Sequence, residues 1–170
     1  MIYKLAAFLG IIAVDQGVKW WAATHVATSM FSSALPMRTL IPGLIGIVYV
    51  ENTGAAFGLL EDMQWLFLVV TGLALLAIAF VLVKKMVYTP LGTWSLVVIA
   101  GGAAGNMIDR ARFGYVVDMF NFEFMRFAIF NVADACITIG TILFCIYILF
   151  FHDKAEKKLK AAGHAQNADN

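Results

Sequence analysis

The residues able to do chemistry are few in this chain and lie at telling positions. Acids and amides gather between residues 101 and 134, from the glycine-rich Gly101-Gly102-Ala103-Ala104-Gly105 through Asn106, Asp109, Arg110 and Asp118 to Asn131 and Asp134. The surrounding sequence is 62% hydrophobic and 14% charged. A carboxylate at the centre of a bilayer costs roughly 2.5–3.5 kcal/mol on insertion scales, so acids at helix ends of so apolar a chain are functional candidates. Asp118 and Asp134 are the pair with most to offer. Two neighbouring carboxylates disfavour double ionisation, and the shared proton leaves one base and one acid. The base can take a proton from water as it attacks an amide carbonyl, and the acid can hydrogen-bond the carbonyl oxygen and help protonate the leaving nitrogen.

Other hydrolytic chemistries lack their residues. The sequence has no H-E-x-x-H and no G-x-S-x-G, and His25, His152 and His164 are too scattered for a zinc site. Cys136 and Cys145, nine positions apart in one expected helix, point to opposite faces, cannot pair, and have no histidine nearby to activate them. No metal and no cofactor is expected. A net charge of +1, with lysines at the chain ends and at Lys84 and Lys85, has no block dense enough for nucleic acid.

The elements that must position these groups are membrane spans. A mean hydropathy of +0.84 over 170 residues is that of an integral membrane domain. Four spans are expected, at about 2–24, 63–83, 93–112 and 131–151. The first resembles a signal peptide in its Lys4 and apolar run, but an acid and a lysine one turn apart and the lack of a small-x-small site following it favour a retained span. Asp15 and Lys19, at i and i+4, share a helix face and can pair. Trp20 and Trp21 suit a membrane interface. Segment 26–62, with Pro36, Pro42, Gly43 and Gly46, predicts short strands on the membrane surface. It ends in Glu51-Asn52-Thr53-Gly54-Ala55-Ala56-Phe57-Gly58, where small residues allow close backbone approach to a ligand or simply a turn. Glu61 and Asp62 suit the start of the second span, and Gly101 and Gly105 suit close helix contact in the third. Asn106 and Asp109 share a face of that third span.

The expected fold is thus an all-α integral membrane protein of four transmembrane helices with a small extracytoplasmic β-rich segment, residues 1–152 forming one domain and 153–170 a polar cytoplasmic tail. The lysines of the N-terminus, the 84–92 loop and the tail all fall on one side, which the positive-inside rule makes cytoplasmic. Segment 26–62 and a loop over 113–130, carrying Asp118, then face outward. Asp15, Lys19, Asn106, Asp109, Asp118 and Asp134 come to one depth near that outer face. Such a layer points to an active site or a proton-conducting path of a transporter; a structural assembly protein does not explain it.

Five blocks carry a family resemblance: Asp15-Gln16-x-x-Lys19, Asn52-x-Gly54-Ala55-Ala56-Phe57, Gly105-Asn106-x-x-Asp109-Arg110, Val116-Val117-Asp118 and Phe130-Asn131-x-Ala133-Asp134. Each is weak alone, but in this order, with four spans, they resemble bacterial lipoprotein signal peptidase, or signal peptidase II, over most of the chain. The resemblance implies an aspartic endopeptidase of the inner membrane that removes signal peptides from prolipoproteins, cutting before a diacylglyceryl-modified cysteine. It makes Asp118 and Asp134 the catalytic dyad, and Asn52, Gly54, Asn106, Arg110 and Asn131 supports of the dyad or the substrate. Asp15, Lys19 and Asp109 take structural roles. The implied partners are lipid-modified prolipoproteins and membrane lipids, for a monomeric enzyme with both termini cytoplasmic and its site near the periplasmic face. Ala135 departs from the pattern, which often has serine there, and this touches only the fine tuning of the site.

Overall fold

The computed structural model describes residues 2–27, 38–54, 63–153 and 156–157. Ala55 to Gly58, Glu61, Asp62 and the tail beyond 157 lie outside the described residues. In order, the elements are α1 (Ile2–His25), β1 (Arg38–Ile41), β2 (Ile45–Asn52), α2 (Gln64–Val83), α3 (Pro90–Phe113), β3 (Val116–Phe122) and α4 (Val132–Phe150).

Helices α2, α3 and α4 are each long and apolar enough to cross a membrane. Helix α1, at 24 residues, has the length, but Asp15, Gln16 and Lys19 lower its apolarity and it is not among the three. Those polar residues turn inward: Asp15 is 0% and Lys19 3% exposed, while Ile2, Leu5, Leu9 and Val14 are exposed. The acid and lysine of α1 therefore face the other helices, and its apolar side chains face out.

Helix α3 is the central one, packed against α1, α2 and α4. Its small residues let the neighbours approach. A Cβ on Gly102 would stand 2.5 Å from the Ala133 carbonyl oxygen of α4, and one on Gly105 2.5 Å from Asp15 Oδ2 of α1. Such contacts exclude any larger residue. The helix starts at Pro90, with Thr89 as N-cap accepting from Gly92 N, and stops at Gly114, whose φ of 79° closes it in a left-handed turn. Helix α4 starts on a reciprocal capping box: the Asn131 side chain accepts from Asp134 N, and the Asp134 side chain accepts from Asn131 N.

The strands form one antiparallel sheet in the order β1-β2-β3. The first two lie in the segment expected to be strand-rich. The third corrects the expectation of a loop over 113–130: residues 116–122 pair with β2, Val50 opposite Asp118 and Asn52 opposite Val116. Asp118 is therefore held on a strand. Val116, Val117, Asp118 and Met119 are all buried, because the strand is covered on both faces. Ala22 and Val26 at the end of α1 pack with Ile47, Val117 and Met119, and Trp21 joins this cluster, whereas Trp20 points outward at 67% exposure. This small core seats the sheet on the end of the helical bundle.

Candidate active site

Burying Lys19 demands partners for its three ammonium protons, and all three are present. Nζ lies 2.9 Å from Asp15 Oδ2, 2.9 Å from Asp109 Oδ2 and 2.9 Å from Asn106 Oδ1. The carboxylates are satisfied in turn: Asp15 Oδ1 accepts from Ala133 N at 2.9 Å, and Asp109 Oδ2 accepts from Val117 N at 3.2 Å. Gln16, beside Asp15 in the first of the five blocks, also belongs here. Its amide donates to Asp109 Oδ1 at 2.8 Å and to Gly105 O at 3.2 Å. Its position next to Asp15 was the signal that could have found it. The i, i+4 pair of α1 is thus part of a five-residue cluster that ties α1 to α3, α4 and β3.

From this cluster the bonds run outward to the two acids. Asn106 Nδ2 donates to Asp134 Oδ1 at 2.7 Å, and Asp134 Oδ2 accepts from Asn131 N at 3.1 Å. Asn131 Nδ2 donates to Asp118 Oδ1 at 2.7 Å and to Asn106 Oδ1 at 3.1 Å. Asn52 Nδ2 donates to Asp118 Oδ2 at 2.9 Å, and Asn52 Oδ1 accepts from Gly54 N at 3.0 Å. Arg110 Nη2 reaches Gly54 O at 3.2 Å. Every residue anticipated for the site, from Asn52 and Gly54 to Asn131 and Asp134, belongs to this one network. Asp15, Lys19 and Asp109 form its inner end, away from the cavity.

Asp118 and Asp134 both line a cavity of about 510 Å³. Its polar wall also includes Asn52, Gly54, Asn106 and Arg110, and its apolar wall Val116, Phe122, Phe127 and Phe130 with Ile137 and Ile139 of α4. Sequence reasoning missed this apolar wall, since aromatic and branched residues are unremarkable in so hydrophobic a chain. Burial pushes the Asp118 carboxyl up to about 6 from its usual 3.8. The bond from Asn52 pulls against that rise, the Asp134 charge adds to it, and the bond from Asn131 and the more distant Lys19 hold it back. An acid so placed can hold a proton when its neighbour is ionised. Among the described residues, the group of side chains that could hold a metal is His152, Asp153 and Glu156, near the far end of α4 from Asp134.

Spanning helices and two acids, buried Asp118 and half-buried Asp134, opening on one cavity define a multi-pass membrane enzyme. The family model described as signal peptidase (SPase) II matches residues 7–150. The lipoprotein signal peptidase of Streptococcus pyogenes serotype M2 is 40% identical over 139 residues, covering 80% of this chain and 86% of its own. That of serotype M5 is 39% identical with the same coverage. A solved structure described as a bacterial membrane enzyme determined by the in meso method at 2.3 Å resolution superposes with a TM-score of 0.78 at 29% identity, covering 92% of each chain. A second of the same description, at 1.9 Å, superposes with a TM-score of 0.77. The chain belongs to the signal peptidase II family, and it is a protease.

Proposed function

We propose that this chain removes signal peptides from prolipoproteins, with Asp118 and Asp134 as the catalytic pair. The observation that carries the assignment of the pair is the bridge between them: Asn131 donates to the Asp118 carboxylate from its side chain and to the Asp134 carboxylate from its backbone N–H, and both acids open on one cavity. Asp118, which burial raises to about 6, is the member that holds the proton. It donates its proton to the scissile carbonyl oxygen while ionised Asp134 takes a proton from the attacking water. The tetrahedral intermediate collapses as the leaving nitrogen receives a proton from the pair, and the carbonyl re-forms with its proton returned to Asp118. Asn52, Asn106 and Asn131 fix the carboxylates, and Arg110 and Gly54 meet the substrate backbone. Asp15, Lys19 and Asp109 hold the helices that carry the site.

The apolar wall of Phe122, Phe127, Phe130, Ile137 and Ile139 suits a substrate already held in the bilayer. In this reading the substrate is cleaved before a cysteine carrying diacylglyceryl, and the wall receives its hydrocarbon. Helix α1 is the fourth span, its charges neutralised from within. Residues 1–152 form one membrane domain with a cytoplasmic tail over 153–170, both termini are cytoplasmic, and the site of this monomer lies near the outer face of the inner membrane.

The test is single-turnover cleavage of a lipidated prolipoprotein by folded Asp118→Asn and Asp134→Asn variants, with binding measured alongside. Each should lose nearly all cleavage yet retain binding, because an amide keeps the shape but cannot take up and return a proton. The double variant should be scarcely worse, as residues acting as one unit are non-additive. Substantial cleavage by either variant removes that residue from the chemistry. Equal cleavage of an unlipidated precursor overturns the lipid requirement.

A further inference from the structure

Helix α2 contributes no fully buried residue and faces outward along most of its length. Its first turn is different. The Gln64 amide donates to the Thr53 carbonyl, and three residues on, the Phe67 ring lies 4.5 Å from the Arg110 guanidinium carbon. Residues at i and i+3 share a helix face, so Gln64 acts on Thr53 and Phe67, through Arg110, on the adjacent Gly54. Arg110 needs such support. Among the described residues it takes part in no ion pair, and its Nε is buried without an acceptor. An aromatic face attracts a guanidinium stacked on it and leaves the in-plane N–H donors free, a preference worth a factor of about two to thirty depending on desolvation. Here one of those donors reaches Gly54 O at 3.2 Å. Gly54 N in turn donates to Asn52 Oδ1 at 3.0 Å, and Asn52 Nδ2 to Asp118 Oδ2 at 2.9 Å.

We propose that the first turn of α2 is a positioning element for the site, in which Phe67, aided by Gln64, sets the plane of Arg110 and through Gly54 and Asn52 the orientation of Asp118. The inference rests on the assignment of Asp118 to the chemistry. Phe67 touches no reacting atom; it acts through Arg110.

The experiment compares Phe67→Leu, Phe67→Trp and Gln64→Met in the full-length protein, with a double-mutant cycle between Phe67→Leu and Arg110→Lys. Leucine keeps an apolar side chain on a lipid-facing helix but has no ring face. Phe67→Leu should lower kcat about tenfold with KM within about twofold. It should also move the alkaline limb of the pH profile upward, because a looser Asn52 stabilises the ionised Asp118 less. Phe67→Trp should stay within about twofold of the parent. Gln64→Met should move the same limb with a smaller loss of rate, which keeps the test open should Phe67→Leu not fold. On top of Arg110→Lys, Phe67→Leu should add less than about twofold to the loss. Equal losses for leucine and tryptophan, additive losses in the cycle, or an unmoved pH limb would overturn the proposal. The same cycle read on melting midpoints reports the Phe67–Arg110 coupling without reference to activity. Cleavage surviving in Asp118→Asn would bring down the acid-pair reading and the positioning role with it, whereas additive melting midpoints in the cycle, with Asp118→Asn inactive, would overturn the positioning role alone.

Discussion

Replacing Lys19 by methionine keeps the length of the side chain and removes its charge, and the consequences follow from the three contacts of Nζ. Asp15 and Asp109, 0% and 1% exposed, would keep their carboxylates with no cation between them. Removing one partner from a buried ion pair costs about 3–5 kcal/mol, mostly the penalty of the stranded charge. Against a total stability of roughly 5–15 kcal/mol, that is a large fraction. For a chain of this size it corresponds to a fall of about 6–20 °C in melting midpoint. Asn106 Oδ1 would also lose the shorter of its two bonds, keeping only the one from Asn131, so activity should fall in the fraction that remains folded. Asp15→Asn should be milder, since it leaves Lys19 paired with Asp109 and an amide oxygen able to accept from Ala133 N. Adding Asp109→Asn to Lys19→Met should recover part of the loss by removing one of the two like charges. The assay is thermal unfolding of the detergent-purified variants together with the yield of folded protein. A Lys19→Met midpoint within about 2 °C of the parent, or one no lower than that of Asp15→Asn, would refute the reasoning.

Asp118 has its folded value raised from 3.8 to about 6, so its protonated form predominates below that value. Activity that needs the proton should be present below about 6 and decline as pH rises through it, and kcat/KM profiles of the parent check this. The sign for stability is the same: the contribution of this carboxyl is full below 3.8 and lost as pH rises through about 6, a slope that Asp118→Asn should remove from the melting data. Gly102→Ala should lower both melting midpoint and activity, since its Cβ would meet the Ala133 carbonyl at 2.5 Å and push α4 from α3; unchanged values would contradict the packing. Single cysteines at positions 38 and 123, in a chain lacking Cys136 and Cys145, should react with an impermeant thiol reagent in intact spheroplasts. Labelling only after lysis would reverse the topology.

The parts of the molecule legible in its sequence are those written in short-range spacing. Asp15 and Lys19 announce a pair by their four-residue interval, Asn106 and Asp109 a shared face, and the run from 64 to 83 a span by uninterrupted apolarity. Strand β3 was not legible. Its Val-Val-Asp-Met is buried on both faces and shows no alternation, and its partner β2 lies more than sixty positions upstream. The role of α2 was hidden for a similar reason, because nothing local marks Phe67 apart from the many other aromatics of the chain. The mutual approach of the two acids is legible only through the family pattern, since Asp118 and Asp134 sit on different elements joined by tertiary folding.

Asn131 has a consequence for anyone altering the spacing of the acids. Its planar amide accepts from the Asp134 backbone N–H at 2.9 Å and donates to Asp118 Oδ1 at 2.7 Å, while its own backbone N–H donates to Asp134 Oδ2 at 3.1 Å. It works as a side-chain strut of fixed length between the start of α4 and β3, next to the backbone bridge of Phe120 and Phe130. Lengthening it by one methylene, as in Asn131→Gln, would displace an acid, a helix start and a strand contact together. The separation of the carboxylates is therefore not an independently tunable dimension of this site: a redesign that seeks a wider or narrower pair must rebuild the beginning of α4 as well.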